Sequence, residues 1–584
     1  MFFLKLSTDI GGFMKVLLTA INAKYIHSNL AVYSLKAYAR KYREEIEIAE
    51  YTINQTMDMI LADIFKKKPD ILCFSCYLWN ISYVEQLLYE LPKILPEIQI
   101  WLGGPEVSYN AVNTLNKFPQ VKGIMCGEGE ETFLELMEYF HGNRKSLEMI
   151  DGITYHEQGE AVRVVKNPMR AVMDLSKVPF VYEEIEHFTN RIIYYETSRG
   201  CPFSCSYCLS SIDKCLRFRD LELVKKELQF FIDHEVPQVK FVDRTFNCHH
   251  THAMEIWSYL KEHDIGKTNF HFEVAADLLN EEEIRLIQSM RPGMIQLEIG
   301  IQSTNPITIN EIHRTMNFKE VGRVVKAIQK NKNVHQHLDL IAGLPYENYE
   351  SFAKSFRDVY ALHPEQLQLG FLKVLKGSHM YEHAQDYELQ YQNRAPFEVL
   401  STRWISYEEL IRLKGVEEMV EVYYNSGQFV NTLPLLEEYF GDAFKLYETL
   451  SQYYEENQLY VLNHSRIKRY EILFDFICKH DKENVEKYRQ MLIFDLYLRE
   501  NVKKRPDFAG EIQITKEEAS KFYDEEAETH RYLVGYEQYD KRQLRKMTHL
   551  ERIDGTLMLF DYRNRDVLLN QAKVYEVKNV QLGT

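Results

Sequence analysis

No apolar run in the 584 residues approaches the roughly 18–20 needed to cross a bilayer, and no charged, apolar and small-residue cleavage pattern opens the chain. The expectation is a cytoplasmic protein with no membrane partner. Glycine (25) and proline (16) are too scarce for a collagen-like or low-complexity chain. Nine cysteines in so long a chain do not make a disulfide framework, and in a reducing compartment clustered thiols are metal ligands or catalytic groups. Positive charge is also short: 70 Lys and Arg face 86 Asp and Glu, a net −16. Such a surface repels phosphate backbones, which disfavours nucleic acid as a general partner. At roughly 100–200 residues per domain the length allows about three to five domains.

Residues 1–13 have no periodicity, and Met14 directly precedes the apolar run Val16-Leu17-Leu18, so 1–13 reads as a non-native leader. From 14 to 141, short apolar runs (16–20, 71–74, 98–102, 123–125) alternate with helical patterns (30–40, 84–91, 131–140). That alternation predicts a parallel sheet with helices on both faces, with ligands beyond the carboxyl ends of the strands. The residues there are 22–29, Ser75 to Asn80, Gly103-Gly104-Pro105-Glu106 and Gly127-Glu128-Gly129-Glu130. The glycines either admit a flat or phosphorylated ligand to the backbone or simply make tight turns. Cys73 and Cys76 form a C-x-x-C, but within a strand they point to opposite faces, which opposes a thioredoxin-like role. Residues 142–190 read as a connector with a small hairpin over 151–165, its turn flanked by Gly152 and Gly159.

The strongest signal follows a strand at 192–197: Ser198-Arg199-Gly200-Cys201-Pro202-Phe203-Ser204-Cys205-Ser206-Tyr207-Cys208. Three thiolates at C-x-x-x-C-x-x-C can wrap one four-iron cluster and leave one iron open to another ligand. A structural zinc site is the alternative, with Cys215 as its fourth ligand. Downstream come a helix at 221–233, a strand at 239–242 ending in Asp243-Arg244-Thr245-Phe246, a strand at 269–276, a helix at 281–290, and the strand Ile295 to Ser303. Glu298 sits mid-strand among apolar neighbours and needs a partner such as Arg323 or a bound ligand. A fifth strand ends in Leu338-Asp339-Leu340-Ile341-Ala342-Gly343-Leu344-Pro345, and a sixth spans 367–375. Beyond 376 the pattern is mainly helical and rich in tyrosine and phenylalanine, read as core. The basic run Lys541 to Lys546 reads as a solvated helix face, and 557–565 as a strand followed by a charged turn.

The two glycine-glutamate turns and the strand order of 14–141 resemble the cobalamin-binding Rossmann domain that precedes a radical S-adenosylmethionine (SAM) domain. The resemblance implies corrin contacts at Ser75, Gly103, Gly104, Gly127 and Gly129. The D-x-H-x-x-G motif that supplies histidine to cobalt in other cobalamin domains is absent from the whole chain, as it often is in relatives fused to radical SAM domains, which bind cobalamin without a protein histidine; His27 could still reach the corrin from the first loop. The cysteine loop, with Tyr207 before its third cysteine, resembles the radical SAM superfamily. There Cys201, Cys205 and Cys208 would hold a 4Fe-4S cluster whose fourth iron chelates SAM, with Cys215 and Cys248 as bystanders. By the same resemblance Asp243 would bind the SAM amino group, and Glu298 and Gln302 would lie in the strand-four signature with Glu298 at the ribose. Gly343 would admit adenine between Ile341 and Leu344. Six βα units over 191–375 would make a partial (β/α)6 barrel. Residues 376–584 resemble the domain of unknown function that follows the barrel in one bacterial cobalamin-dependent subfamily. The expected fold class is thus α/β, with a mainly helical C-terminal domain.

The resemblance implies reductive cleavage of SAM to a 5′-deoxyadenosyl radical and cobalamin-dependent methylation of an unactivated carbon, with a donor such as flavodoxin or ferredoxin supplying electrons. Radical rearrangement, cyclisation or C–C bond formation is the second enzymatic reading. Transfer RNA methylthiolation is opposed by the net charge and by the lack of a second cysteine triad in the first domain. A cobalamin- or redox-responsive binding protein would need no reducible SAM-bound cluster. No sequence motif names the substrate or a catalytic side chain.

Overall fold

All seven residues of β1 (Val16–Asn22) are buried, which makes this strand the spine of the first sheet. The computed structural model describes residues 14–144, 146–157 and 163–578; the leader 1–13 and Gly159 lie outside the described residues. Parallel partners β2 (Ile46–Thr52), β3 (Ile71–Ser75), β4 (Gln99–Gly103) and β5 (Val121–Met125) follow, then β6 (Ile153–Glu157) and β7 (Arg163–Lys166) antiparallel, in the order β2-β1-β3-β4-β5-β6-β7. Side chains alternate between two cores: Leu17, Ile21, Leu72 and Phe74 pack on one face, Val16, Leu18, Ala20 and Trp101 on the other. Cys76 joins the first and Cys73 the second, and burial pushes the Cys73 thiol up to about 12. Two expectations change. β2 was absent from the sequence reading because Ile46-Glu47-Ile48-Ala49-Glu50 carries the polar alternation of a half-solvated edge strand. The hairpin of the connector extends the first sheet, since β6 pairs with β5.

The second sheet is formed by β8 (Ile193–Tyr195), β11 (Gln238–Phe241), β12 (Asn269–Val274), β13 (Ile295–Gln302), β14 (His335–Ala342) and β15 (Gln366–Phe371), all parallel and in chain order, as the six-unit reading expects. Between the first two lie β9 (Ser198–Arg199) and β10 (Arg217–Phe218), an antiparallel pair that forms the neck of the cysteine loop. Strand alternation puts Val239, Phe241, Phe272, Leu297, Ile299, Leu338 and Leu340 in the core. Lys240, His271, Glu273, Glu298, His337 and Asp339 occupy the opposite, inner face. Leu344 is fully buried in that core, so of the expected apolar pair only the half-buried Ile341 is on the inner face.

Where the cysteine loop rejoins the barrel, the buried Arg219 donates to Glu227 at 2.7 and 3.1 Å and to the Val178 carbonyl at 2.7 Å. The connector is thereby fixed to the first barrel helix, Leu221–Asp233.

The C-terminal region contains two short strand pieces, β16 (Gln390–Tyr391) and β17 (Val399–Ser401), then helices including Tyr407–Met419, Ala443–Glu456, Arg466–His480 and Val485–Arg499. Tyr423 and Tyr447 are fully buried core residues, as expected. An antiparallel sheet of β18 (Thr548–Ile553), β19 (Thr556–Arg565) and β20 (Ala572–Glu576) closes it. The charged turn expected at 561–565 is the end of β19 instead: Arg565 pairs with Ala572 of β20 past a register irregularity where the buried Asp561 accepts from the Arg563 amide and from Asn564. Arg219→Met should destabilise the barrel by about 3–5 kcal/mol by leaving the Glu227 carboxylate buried without its cation. Urea unfolding followed by tryptophan fluorescence checks this, and the added change Glu227→Leu should recover most of the loss.

Candidate functional site

The cysteine loop runs from the end of β9 to the start of β10. Its first turn needs glycine: Gly200 has φ +89°, and a Cβ there would lie 2.6 Å from the Cys215 carbonyl oxygen. Cys201 and Cys205 are buried, Cys208 is half-buried and Cys215 is exposed. The loop is held from three sides. The Cys201 amide donates to the Asp213 carbonyl (3.0 Å), the Ser206 amide to the Ile312 carbonyl (2.9 Å), and the Met380 amide to the Ser206 carbonyl (2.8 Å). Cys248 is close enough to Cys201 for their charges to interact, and burial pushes its thiol up to about 11. Among the described residues, no three His, Cys, Asp or Glu side chains converge on a single-ion site. Three soft thiol donors on one anchored loop suit an iron–sulfur cluster, which is larger than one ion.

Arg314 was not singled out from the sequence. Its buried guanidinium donates from Nη1 to the Tyr207 hydroxyl at 3.2 Å and lies 3.7 Å from Cys205 Sγ, while Nη2 donates to the Gly300 carbonyl. A buried cation there attracts any anionic group brought to the same place. The contact joins residues 109 positions apart, which no local pattern reveals.

The expected SAM contacts are placed differently from one another. Asp243 is fully buried beneath the neck: it accepts from the Thr197 amide (3.0 Å), the Thr197 hydroxyl (2.6 Å) and the Ser198 hydroxyl (2.6 Å). Burial pushes its carboxyl up to about 6 against those hydrogen bonds. Its carboxylate supports the cysteine loop through Thr197 and Ser198, and a contact to the SAM amino group would have to share it with those donors. Glu298 lies on the inner face, 3.0 Å from both Lys240 Nζ and His271 Nε2, and those two partners hold its carboxyl down to about 2 despite partial burial. Arg323, the partner anticipated for it, instead pairs with Glu320 and Glu281 at the surface. Gln302 follows a bulge with φ +74°, and its buried Oε1 has no hydrogen-bond partner among the described residues. Such an orphaned acceptor suits a donor from a bound cofactor. Gly343 has φ +85°, and a Cβ there would lie 2.7 Å from the Val399 side chain. Glu273, on the inner face opposite Glu298, has no hydrogen bond or ion pair among the described residues, and burial pushes its carboxyl up to about 7.

Across the mouth stand the loops of the first domain. His27 Nδ1 is 2.6 Å from the Tyr194 hydroxyl, Tyr77 stacks on Trp79 at 4.5 Å, and Ser75 Oγ is 3.5 Å from Asn29 Oδ1. The glycines have reasons of their own. A Cβ on Gly104 (φ +105°) would sit 2.5 Å from the Cys76 carbonyl, and one on Gly129 2.9 Å from Leu35. Gly104→Val would therefore fail against the protein's own backbone and cannot report on corrin. Gly103 and Gly127 are less confined, with nearest contacts of 3.4 Å to Met125 and 3.1 Å to Met169.

Residues 16–137 match the B12 binding domain, 195–359 the radical SAM superfamily, and 385–572 a protein family of unknown function, DUF4080. The chain thus carries, in order, a B12 binding domain, a radical SAM domain and a DUF4080 region. The chain is 25% identical over 311 residues to the cobalamin-dependent radical SAM methyltransferase TokK of Streptomyces tokunonensis, a match covering 50% of this chain and 44% of that one. It is 22% identical over 326 residues to the anaerobic magnesium-protoporphyrin IX monomethyl ester cyclase of Rubrivivax gelatinosus, covering 54% and 58%. The chain thus spans about half the length of these curated relatives. Among solved structures, the cobalamin-dependent SAM radical enzyme OxsB, with aqua-cobalamin and SAM bound, superposes with a TM-score of 0.57 at 14% identity over 82% of this chain and 79% of its own. That likeness shows the α/β fold.

The position of Glu273 generates a pH test. Its folded value of about 7 lies above the ordinary 4.5, so the folded protein keeps a proton that the unfolded chain releases. Stability is therefore lost as pH rises from about 4.5 to about 7. Glu273→Gln should be more stable than the parent above pH 7 by about 2–3 kcal/mol, with the advantage gone below pH 4.5. Denaturant titrations across that range check the expectation, and a constant difference at all pH values would contradict it.

Proposed function

We propose that this protein is a cobalamin-dependent radical SAM methyltransferase acting on an unactivated carbon. The observation that carries the reading is the anchored loop of Cys201, Cys205 and Cys208 beside the buried Arg314, at a barrel mouth faced by the loops of a B12 binding domain. Those three cysteines would hold the 4Fe-4S cluster, and Arg314 would receive the SAM carboxylate. Gln302, Ile341 and Gly343 would line the nucleoside end. Glu298 would accept a ribose hydroxyl while Lys240 and His271 keep it ionised. Ser75, Gly103, Gly127 and Gly129 would approach the corrin without a protein histidine on cobalt; His27, whose Nδ1 meets the Tyr194 hydroxyl, would be the alternative ligand. When bound, SAM and the reduced cluster supply a 5′-deoxyadenosyl radical and cobalamin supplies the methyl group. The chain's own work is to hold these groups in register and keep water from them.

The partners on this reading are a polar or mixed substrate admitted to the charged inner face and an electron donor such as flavodoxin or ferredoxin, in the cytoplasm. No helix among the described residues is long and apolar enough to cross a membrane. Cyclisation or another radical rearrangement is kept as a second reading by the similarity to the Rubrivivax cyclase.

Reconstituted, reduced protein should convert SAM to 5′-deoxyadenosine. Cys201→Ala, Cys205→Ala and Cys208→Ala should each abolish both that activity and the iron–sulfur absorbance near roughly 400 nm. Cys215→Ala and Cys248→Ala should keep both; loss of the cluster in Cys215→Ala would restore the four-ligand alternative. Isotope from methyl-labelled SAM appearing in product separates methylation from cyclisation.

A further inference from the structure

The Gly127-Glu128-Gly129-Glu130 loop leaves β5 in the first domain, and both of its carboxylates cross to the barrel. Glu128 Oε1 accepts from Arg199 Nη1 at 3.1 Å and from Arg217 Nη2, while its Oε2 accepts from the Met173 amide at 2.9 Å. Glu130, almost fully buried, accepts from Arg199 Nη2 at 2.5 Å and Nη1 at 3.3 Å. Glu196 takes Arg199 Nε at 2.9 Å. Arg199 lies on β9 and Arg217 on β10, the two stems of the cysteine loop, and they flank its ends two residues before Cys201 and two after Cys215. One carboxylate from the first domain therefore closes the neck of the loop that carries the thiols.

We propose that Glu128 is an interdomain latch that couples the corrin-side loop to the cluster loop, so that filling either cofactor site strengthens the other. The geometry gives the latch its direction. Fixing the backbone at Gly127 and Gly129 fixes Glu128, which fixes both stem arginines; a cluster that rigidifies the stems fixes Glu128 in turn. Thermodynamic linkage makes the effect reciprocal. Glu128 acts through the arginines and is a positioning residue. The neighbouring Asp213, which also pairs with Arg217 at 3.1 Å, belongs to the cysteine loop itself and cannot carry the coupling between domains. The inference rests on the proposed corrin contacts of this loop.

The test uses the full chain with its cluster reconstituted and the same chain left without it. Hydroxocobalamin is titrated into each and followed by its visible absorption. The latch predicts binding tighter by about five-fold or more in the cluster-loaded form, a ratio that falls to near one in Glu128→Gln and is retained in Glu128→Asp. Cluster loss to a chelator, followed in cobalamin-free protein, should be faster in Glu128→Gln by a similar factor. A role confined to folding stability would lower the melting temperature and leave the ratio alone. Arg217→Gln opens the same latch from the other side and carries the same expectation should Glu128→Gln not fold. An unchanged ratio or an unchanged rate of cluster loss overturns the proposal. If hydroxocobalamin binds neither form, the cobalamin reading fails and the coupling with it, whereas normal cobalamin binding with no dependence on the cluster defeats the latch alone.

Discussion

A guanidinium withdrawn from water must be met by carboxylates, and Arg199 is met from two domains at once. Glu196 approaches it from its own chain segment and Glu128 and Glu130 approach from across the mouth. The cost of burying that charge unpaired, several kcal/mol, means that the first domain cannot swing away from the barrel without replacing two carboxylates. The neck of the cysteine loop, the approach of the first-domain loops and the depth of the mouth between them all depend on this junction. Beneath it Asp243 holds the other side of the neck through Thr197 and Ser198. The thiols are thus presented by a loop whose stems are fixed from above by one domain and from below by the other.

The barrel divides its labour by strand alternation. One face of β11 to β14 is apolar except for the buried Gln336, which donates to the Val325 carbonyl, while the other carries Lys240, His271, Glu273, Glu298, His337 and Asp339. Two of the inner carboxylates have partners at 3.0 Å: Glu298 meets Lys240 and His271, and Asp339 meets His337. Glu273 is left over, and its raised carboxyl follows from having burial without a partner. A lumen lined this way presents polar groups to its interior and suits a polar ligand.

What could be read from the sequence was what is local. The cysteine spacing, the glycine after Arg199 and the six alternating units all lie within short windows, and each strand of the second sheet was anticipated within a few residues. The edge strand β2 was lost because its alternating Ile and Glu mimic a polar segment. The partners of Glu298 and Asp243 were missed because they come from neighbouring strands: a register such as Glu298 opposite Glu273, beside His271 and Lys240, exists only once the sheet is assembled. Arg314 was missed for the same reason. The glycines of the first domain show the converse error, since a residue type that admits a ligand also admits a neighbouring backbone, and Gly104 is fully explained by Cys76.

The Gly-Glu-Gly-Glu turn brings these strands of argument together. As a sequence it suggested a ligand approach by its glycines; in the fold its glutamates do the visible work. Gly127 needs φ +81° and Gly129 must clear Leu35, conditions that place two carboxylates on the barrel side of one short turn. Substituting the glycines would therefore disturb the arginine junction before it disturbed any ligand, and substituting the glutamates would leave the turn intact. Glycine supplies the path of the backbone and glutamate the contact, so the two halves of the motif answer to different physical constraints, conformational for one and electrostatic for the other. A cofactor resting on the glycine side would meet a surface whose position is already set by charges in the other domain.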